Sequence, residues 1–256
     1  MTRVDGHVHF YSTFSLEAFL LGAEKNLRNE GRSTGVLLLG HIGSGSPLES
    51  LRARTNLPSS WTRSEPDTTS LLFQSDNGSS VVVIAGRQIV TAEKLELLTL
   101  CSAEPVQKGL SLRESIQMAL SISAIPVVPW GFGKWWFARG KVLQDLISSE
   151  FAGHWLIGDN GCRVAGAKPK LLSKAENAGI AILAGSDPLP IKNHVGRAGS
   201  YGTILPTSID LSQPTAWTRN ALQNLNSTVT FGRCRSVPEF VRDQLSLRMA
   251  KKTKAV

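Results

Sequence analysis

VDGHVHFY, residues 4–11, is the stretch on which the reading of the whole chain turns. Val4, Val8, Phe10 and Tyr11 are strand formers, and a strand places residues i and i+2 on one face. His7 and His9 then stand side by side, about 6–7 Å apart at Cα, so that two ring nitrogens can converge on one cation. The chain has five histidines in all, and two of them in this pattern call for further ligands elsewhere.

Working outward, Ser15 caps a helix running to about Asn29, with Leu16, Phe19, Leu20, Ala23 and Leu27 along one face. GVLLLG (35–40) reads as a buried strand ending at His41, and the Ser-, Gly-, Pro- and Arg-rich residues 43–68 as an excursion from the scaffold. Asp76-Asn77-Gly78 supplies the turn of a hairpin between SLLFQS and VVVIA. Strands are expected at 94–100, 125–129, 154–157 and 180–185. Helices are expected at 111–123, where Glu114 stands at capping-box spacing from Ser111, and at 142–149, 171–178, 215–225 and 238–251. Strands apolar throughout and alternating with helices predict a parallel sheet covered by helices, one α/β domain with its sites at the carboxyl ends of the strands. His7, His9, His41 and Asp187 all fall at or just after such ends.

Composition narrows the function classes. At 41% hydrophobic and 19% charged residues the chain is ordinary for a globular protein, and no apolar run reaches the length of a membrane span. Asp5 and the histidines stand where a signal peptide would be apolar. Cys101, Cys162 and Cys234 are odd in number and form no CxxC pair, which predicts a reducing, cytoplasmic setting and no cysteine zinc site. Of the net charge of +8, five units come from residues 233–256, with seven Lys/Arg against two Asp/Glu. A phosphorylated or other anionic small molecule is the expected partner, with nucleic acid possible but not favoured.

VDGHVHFY, LLLGH and ILAGSD, in that order over residues 3–200, resemble the PHP family of metal-dependent phosphoesterases, named for polymerase and histidinol phosphatase. The resemblance implies a distorted, TIM-like, seven-stranded β/α barrel with up to three divalent metals at the strand ends. It places the barrel at residues 1–232 and leaves 233–256 as a basic helix and tail. Matched position by position, His7 and His9 are the first metal pair, His41 is the histidine after the second strand, and Asp187 is the aspartate of a GSDAH-like motif. Asp5 is expected behind the pair, orienting an imidazole.

The departures limit that picture. AGRQIV carries Gln88 where the family has a bridging glutamate, LELLTL carries Glu96 in a histidine's place, and IPVVPWG carries Trp130 where a histidine ligates. Pro188-Leu189-Pro190 replaces the final histidine, leaving His194 as its substitute if the loop folds back. A neutral amide is a weak ligand for a divalent cation and tryptophan is none. The expected ligands are therefore His7, His9 and Asp187, with Glu96, His41 and His194 as further candidates, for one or two ions of Zn, Mn or Fe rather than three.

The function expected is a metal-dependent hydrolase, a phosphoesterase, with Asp187 and His41 as its catalytic residues and Arg197 and Lys168 binding the substrate's anion. Two alternatives stay open: an amidohydrolase-type enzyme cleaving C–N or ester bonds, and a non-catalytic binding or regulatory protein on the same scaffold. PWGFGKWWFARGK (129–141) either stacks bases and grips phosphates or, as expected, roofs the barrel. GHIGSGSP lacks the Gly-Lys-Ser/Thr ending of a phosphate loop, and GRAGSYG (196–202) reads as loop with no strand leading into it. His154 is expected to be structural. Asp159 and Asn160 follow a strand, facing the site or forming a plain turn.

Overall fold

Thr2–Val8 forms β1, buried along nearly its whole length, and the site hangs from its carboxyl end. The structure, a computed structural model, describes residues 1–28, 34–149, 151 and 153–253. After β1 come α1 (Leu16–Leu27), β2 (Thr34–Leu39), α2 (Glu49–Arg52), β3 (Trp61–Ser64), β4 (Ser70–Ser75), β5 (Ser80–Ile84) and β6 (Gly86–Val90). Then follow β7 (Glu96–Leu100), α3 (Leu112–Ser121), β8 (Ile125–Pro129), α4 (Phe137–Ile147), β9 (Leu156–Asn160) and α5 (Lys170–Asn177). The chain ends with β10 (Ile182–Gly185), a 3-10 turn (Lys192–Arg197), β11 (Tyr201–Leu205), α6 (Pro214–Gln223), β12 (Thr230–Gly232) and α7 (Val237–Thr253).

Local chemistry explains the helix starts. Ser15 Oγ accepts the Ala18 N–H at 3.3 Å to open α1, and α3 opens on the reciprocal capping box of Ser111 and Glu114. Position 29, the expected end of α1, lies outside the described residues, as do 254–256 of the basic tail. The excursion holds α2 and β3, and β3 extends the Asp76–Gly78 hairpin of β4 and β5 by a third antiparallel strand.

The sheet differs from the expected closed, parallel, seven-stranded barrel. It has 12 strands in an open ladder ordered β3-β4-β5-β2-β1-β11-β10-β9-β8-β7-β6, with β12 paired to β11. Parallel pairs join β1 to β2, β2 to β5, β8 to β9 and β9 to β10, and the other pairs are antiparallel. One departure is β11, which begins at the end of the glycine-rich run 196–202 and enters antiparallel between β1 and β10. The two arms of the ladder meet through an isolated bridge, where the His41 N–H reaches Gly86 O at 3.0 Å and the Gln88 N–H reaches His41 O at 2.9 Å.

Both faces of β2 are buried, which is why its run is apolar throughout. Leu37 and Leu39 pack with Phe19, Leu20 and Leu27 of α1. Val36 and Leu38 belong instead with Leu98, Val127, Leu156 and Leu183 from strands on the other arm, so the sheet curls around a shared interior. Each such side chain contributes about 1.5–3 kcal/mol by leaving water. A third cluster joins α3, α4 and α5 to the outer face of β7–β10. Among the described residues no helix is long and apolar enough to cross a membrane.

Candidate metal centre

The end of β10 closes on β1 because both carry glycine where they touch. A Cβ on Gly185 would lie 2.3 Å from the His7 backbone nitrogen, and one on Gly6 would lie 2.4 Å from Leu183 Cγ. Two residues on, the Asp187 N–H donates to His7 O at 2.9 Å, and Asp187 sits in the left-handed region (φ 47°), uncommon outside glycine.

That turn brings three donors together. His7 Nε2 and His9 Nε2 lie 2.9 Å apart, and Asp187 Oδ1 lies 3.8 Å from the first and 3.5 Å from the second. Ligands about 2.0–2.2 Å from a tetrahedral ion stand about 3.3–3.6 Å from one another, so the observed triangle is of the right size. Gln88 Oε1 is 3.0 Å from His7 Nε2, which puts the amide at the edge of the cluster.

Asn160, at the end of β9, orders the group. Its Nδ2 donates to Trp130 O (2.6 Å) and to Asp187 Oδ2 (2.9 Å), which fixes the amide and leaves Oδ1 facing His7 Nδ1 at 3.2 Å. Assigned from this network, the His7 hydrogen sits on Nδ1 and the Nε2 lone pair points at Gln88 Oε1 and Asp187. Acceptors so aimed at one another repel unless a proton or a cation lies among them. The residues present therefore fit a divalent ion.

Electrostatics agrees. Burial, helped by neighbouring His7, drops the His9 pKa to about 3, so this ring is neutral and able to ligate. Burial also pushes Asp187 up, with Glu96 adding to it and His7, Arg197 and Asn160 opposing. A cavity of about 400 Å³ opens beside His9, lined also by Tyr11, His41, Pro47 and Arg54, so the excursion forms one of its walls.

Asp5 does not orient an imidazole ring. Fully buried, its carboxylate accepts from the backbone N–H groups of His7 (3.2 Å), Ser186 (2.7 Å) and Gly199 (2.7 Å) and from the Ser186 hydroxyl. Burial pushes its pKa up to about 6 against the pull of those donors. Asp5 fastens β1 to the chain on either side of the 3-10 turn, and the residue that orients His7 is Asn160.

The other expected site residues divide. His41 lines the cavity but stands outside the three-ligand cluster, with Nε2 3.4 Å from Ser44 O. Glu96 is near enough to raise Asp187, yet its carboxylate is held by Lys134 Nζ at 2.9 Å. His194 is not brought to the cluster of His7, His9 and Asp187. It is buried, its Nδ1 accepts the Leu189 N–H at 3.0 Å, and Nε2 faces Asp243 Oδ1 at 3.2 Å and Arg235 at 2.9 Å. Arg197 is drawn into the same buried group, 3.7 Å from Asp243 Oδ2. Lys168 lies on the surface, paired with Glu176. Trp130 contributes a backbone carbonyl, and His154 bonds Leu222 O at 2.9 Å. In the aromatic run Trp135 is buried, but Phe132, Trp136 and Phe137 are exposed, so roofing describes only part of it. Tyr11 escaped the sequence reading, although the i, i+2 spacing of His7 and His9 extends to it and its ring lies 5.5 Å from that of His9.

No family model and no curated protein matches the sequence. Solved structures share its fold, among them the following two. PsfC from Pseudomonas syringae PB-5123 matches with a TM-score of 0.59 at 16% identity, over 98% of this chain and 100% of that one. The lesion-specific endonuclease PfuEndoQ from Pyrococcus furiosus matches with a TM-score of 0.53 at 13% identity, over 90% of this chain. The match takes in 58% of the endonuclease, so this chain corresponds to a part of it. At such identities the likeness is one of fold.

Proposed function

We propose that this chain is a metal-dependent phosphoester hydrolase of PHP-like architecture with a reduced metal site. The observation that carries the reading is the convergence of His7 Nε2, His9 Nε2 and Asp187 Oδ1, all within 4.8 Å of one another, at the ends of β1 and β10. Two of the three stretches that resemble the PHP family, VDGHVHFY and ILAGSD, supply these residues, and a fold shared with an endonuclease supports phosphoester chemistry. His7, His9 and Asp187 would hold one or two ions, with Gln88 as a weak neutral neighbour. When bound, such an ion supplies Lewis acidity toward a phosphoryl oxygen and brings the pKa of its water toward neutrality. Asn160 keeps the His7 lone pair directed inward and holds Asp187 by its second oxygen, so that Oδ1 is free to ligate or to take a proton. The walls contributed by Tyr11, His41 and the excursion confine the substrate beside His9.

The test is paired. Saturation with manganese or zinc followed by elemental analysis should give one or two ions per chain. His7→Ala with His9→Ala should remove them and lower metal-stimulated hydrolysis of p-nitrophenyl phosphate or its diester more than about a hundredfold, the outer range for losing even a supporting group. Equal metal-dependent shifts of the melting midpoint in both proteins would sink the reading. A metal-free binding protein is the second reading, and Gln88 favours it, since a neutral amide stands where the resemblance calls for a bridging carboxylate.

A further inference from the structure

The cavity beside His9 holds a cation that the metal cluster does not use. Arg54 follows α2 in the excursion, and one guanidinium nitrogen donates to Ser12 O at 2.9 Å, which ties the arginine to the loop after His9. Among the described residues no carboxylate pairs with it. Arg52, two residues earlier, is paired with Glu65, and Arg63 is spent on the carbonyls of Leu51, Arg52 and Arg54. Arg54 is therefore anchored by one donor with the rest of its fork uncommitted, on the wall of a cavity shared with a ligand histidine. His41 lines the same cavity, and among the described residues its ring has a single hydrogen-bond partner, Ser44 O at 3.4 Å.

From this placement we infer that Arg54, with His41, forms the phosphoryl-binding subsite of the enzyme, and that the substrate is a small phosphomonoester. This deepens the hydrolase reading and rests on it for the reaction, though not for the binding. A guanidinium matches phosphate oxygens bidentately and stays charged at every physiological pH, which is what an anchored arginine facing a cavity provides. Size sets the substrate class. At about 400 Å³ the cavity falls in the range of small-molecule sites, and Phe10, Leu39, Ile42, Pro47 and Ala53 give it an apolar portion, beside the hydroxyl-bearing Tyr11, Ser12 and Ser50, that suits a compact organic group. Arg197, the arginine expected from the sequence to meet the anion, is already committed to Asp243, and Arg54 takes its place.

The experiment uses inorganic phosphate as the probe. Phosphate-induced thermal stabilisation of the metal-stripped full chain is measured for the wild type, Arg54→Gln and Arg54→Lys. Half-saturation should rise on the order of tenfold in Arg54→Gln, with Arg54→Lys between, because lysine keeps the charge and loses the fork. With metal restored, the loss in Arg54→Gln should fall mainly on KM for p-nitrophenyl phosphate and on inhibition by phosphate, while the metal-dependent melting shift persists. Equal phosphate half-saturation in all three proteins, or no phosphate effect on the wild type, overturns the proposal. A single-stranded oligonucleotide without terminal phosphates should not compete with phosphate, and competition by it would overturn the small-substrate assignment. If phosphate binds through Arg54 but no metal-dependent hydrolysis is found in the wild type, the subsite stands and the hydrolase reading falls.

Discussion

Among the described residues, two histidine–carboxylate groups lie largely out of water, and they do opposite things. In the first, His7, His9 and Asp187 meet with lone pairs converging and, among the described residues, no lysine or arginine in ion-pair contact with them, Arg197 acting on Asp187 only from farther off. In the second, His194 and Asp243 meet with Arg197 and Arg235 packed around the carboxylate, the Arg235 Nε 2.8 Å from Asp243 Oδ2. The residue types are nearly the same. What separates a candidate metal centre from an internal ion pair is who brings the positive charge: the arginines supply it permanently in one place, and in the other the acceptors are left facing one another. The second group also joins elements, since it binds α7 to the 3-10 turn.

The sharpest way to break the comparison is to remove the second carboxylate. Asp243→Asn leaves Arg197 largely buried without its counter-ion and Arg235 with only Glu239 at 3.8 Å, and should cost about 3–5 kcal/mol in urea unfolding. Metal stoichiometry should stay at its wild-type value, because no ligand is touched. A parallel loss of metal would mean that the two groups are one system.

Acid separates them next. The ring of His9 titrates at about 3 and that of His194 at about 4, both lowered first by burial. Unfolded histidines take up protons near pH 6.5 while these stay neutral in the fold, so the stability they confer is present above about pH 6.5 and drains away as the pH falls toward 4. Asp5, raised to about 6, works the other way, protonating in the fold before it would in the unfolded chain. In metal-free protein, His194→Gln should therefore flatten the loss of stability between pH 7 and pH 5 by about 1–2 kcal/mol. Unchanged pH dependence of the urea midpoint would show that His194 is not held neutral.

The smallest effect sharpens the first group. Gln88→Glu supplies a carboxylate oxygen beside His7 Nε2, and added ligand charge should tighten manganese or zinc binding on the order of tenfold by calorimetry. No gain would place Gln88 outside the coordination sphere.

What the sequence made legible was what sits within one strand. His7 and His9 could be paired by strand alternation alone, and Asp187 by its place after an apolar run. His194 could not be judged in the same way, because the partners that consume it, Arg235 and Asp243, lie 41 and 49 residues away on or next to a different helix. Glu96 was lost to Lys134 across a loop, and Arg197 to the same distant aspartate. The parallel pattern was readable from β2, β5, β8 and β9, whose both-faced burial demands apolar runs, whereas β11 was hidden by the glycines that let it pass so close to β1. Asn160 stood in a triplet that spells a turn as readily as a strand end, and only its three partners reveal its task.

The clamp at Asp5 bears on how the protein is made. The carboxylate leaves the ribosome well before its partners, because Ser186 and Gly199 come 181 and 194 positions later. Asp187 arrives with Ser186, so the nascent chain carries His7 and His9 without Asp187 until the residues between have been made. A cation met early would find two imidazoles on an unpaired strand rather than a finished pocket. On the metal-centre reading proposed above, loading would follow the closing of β10 and β11 on β1.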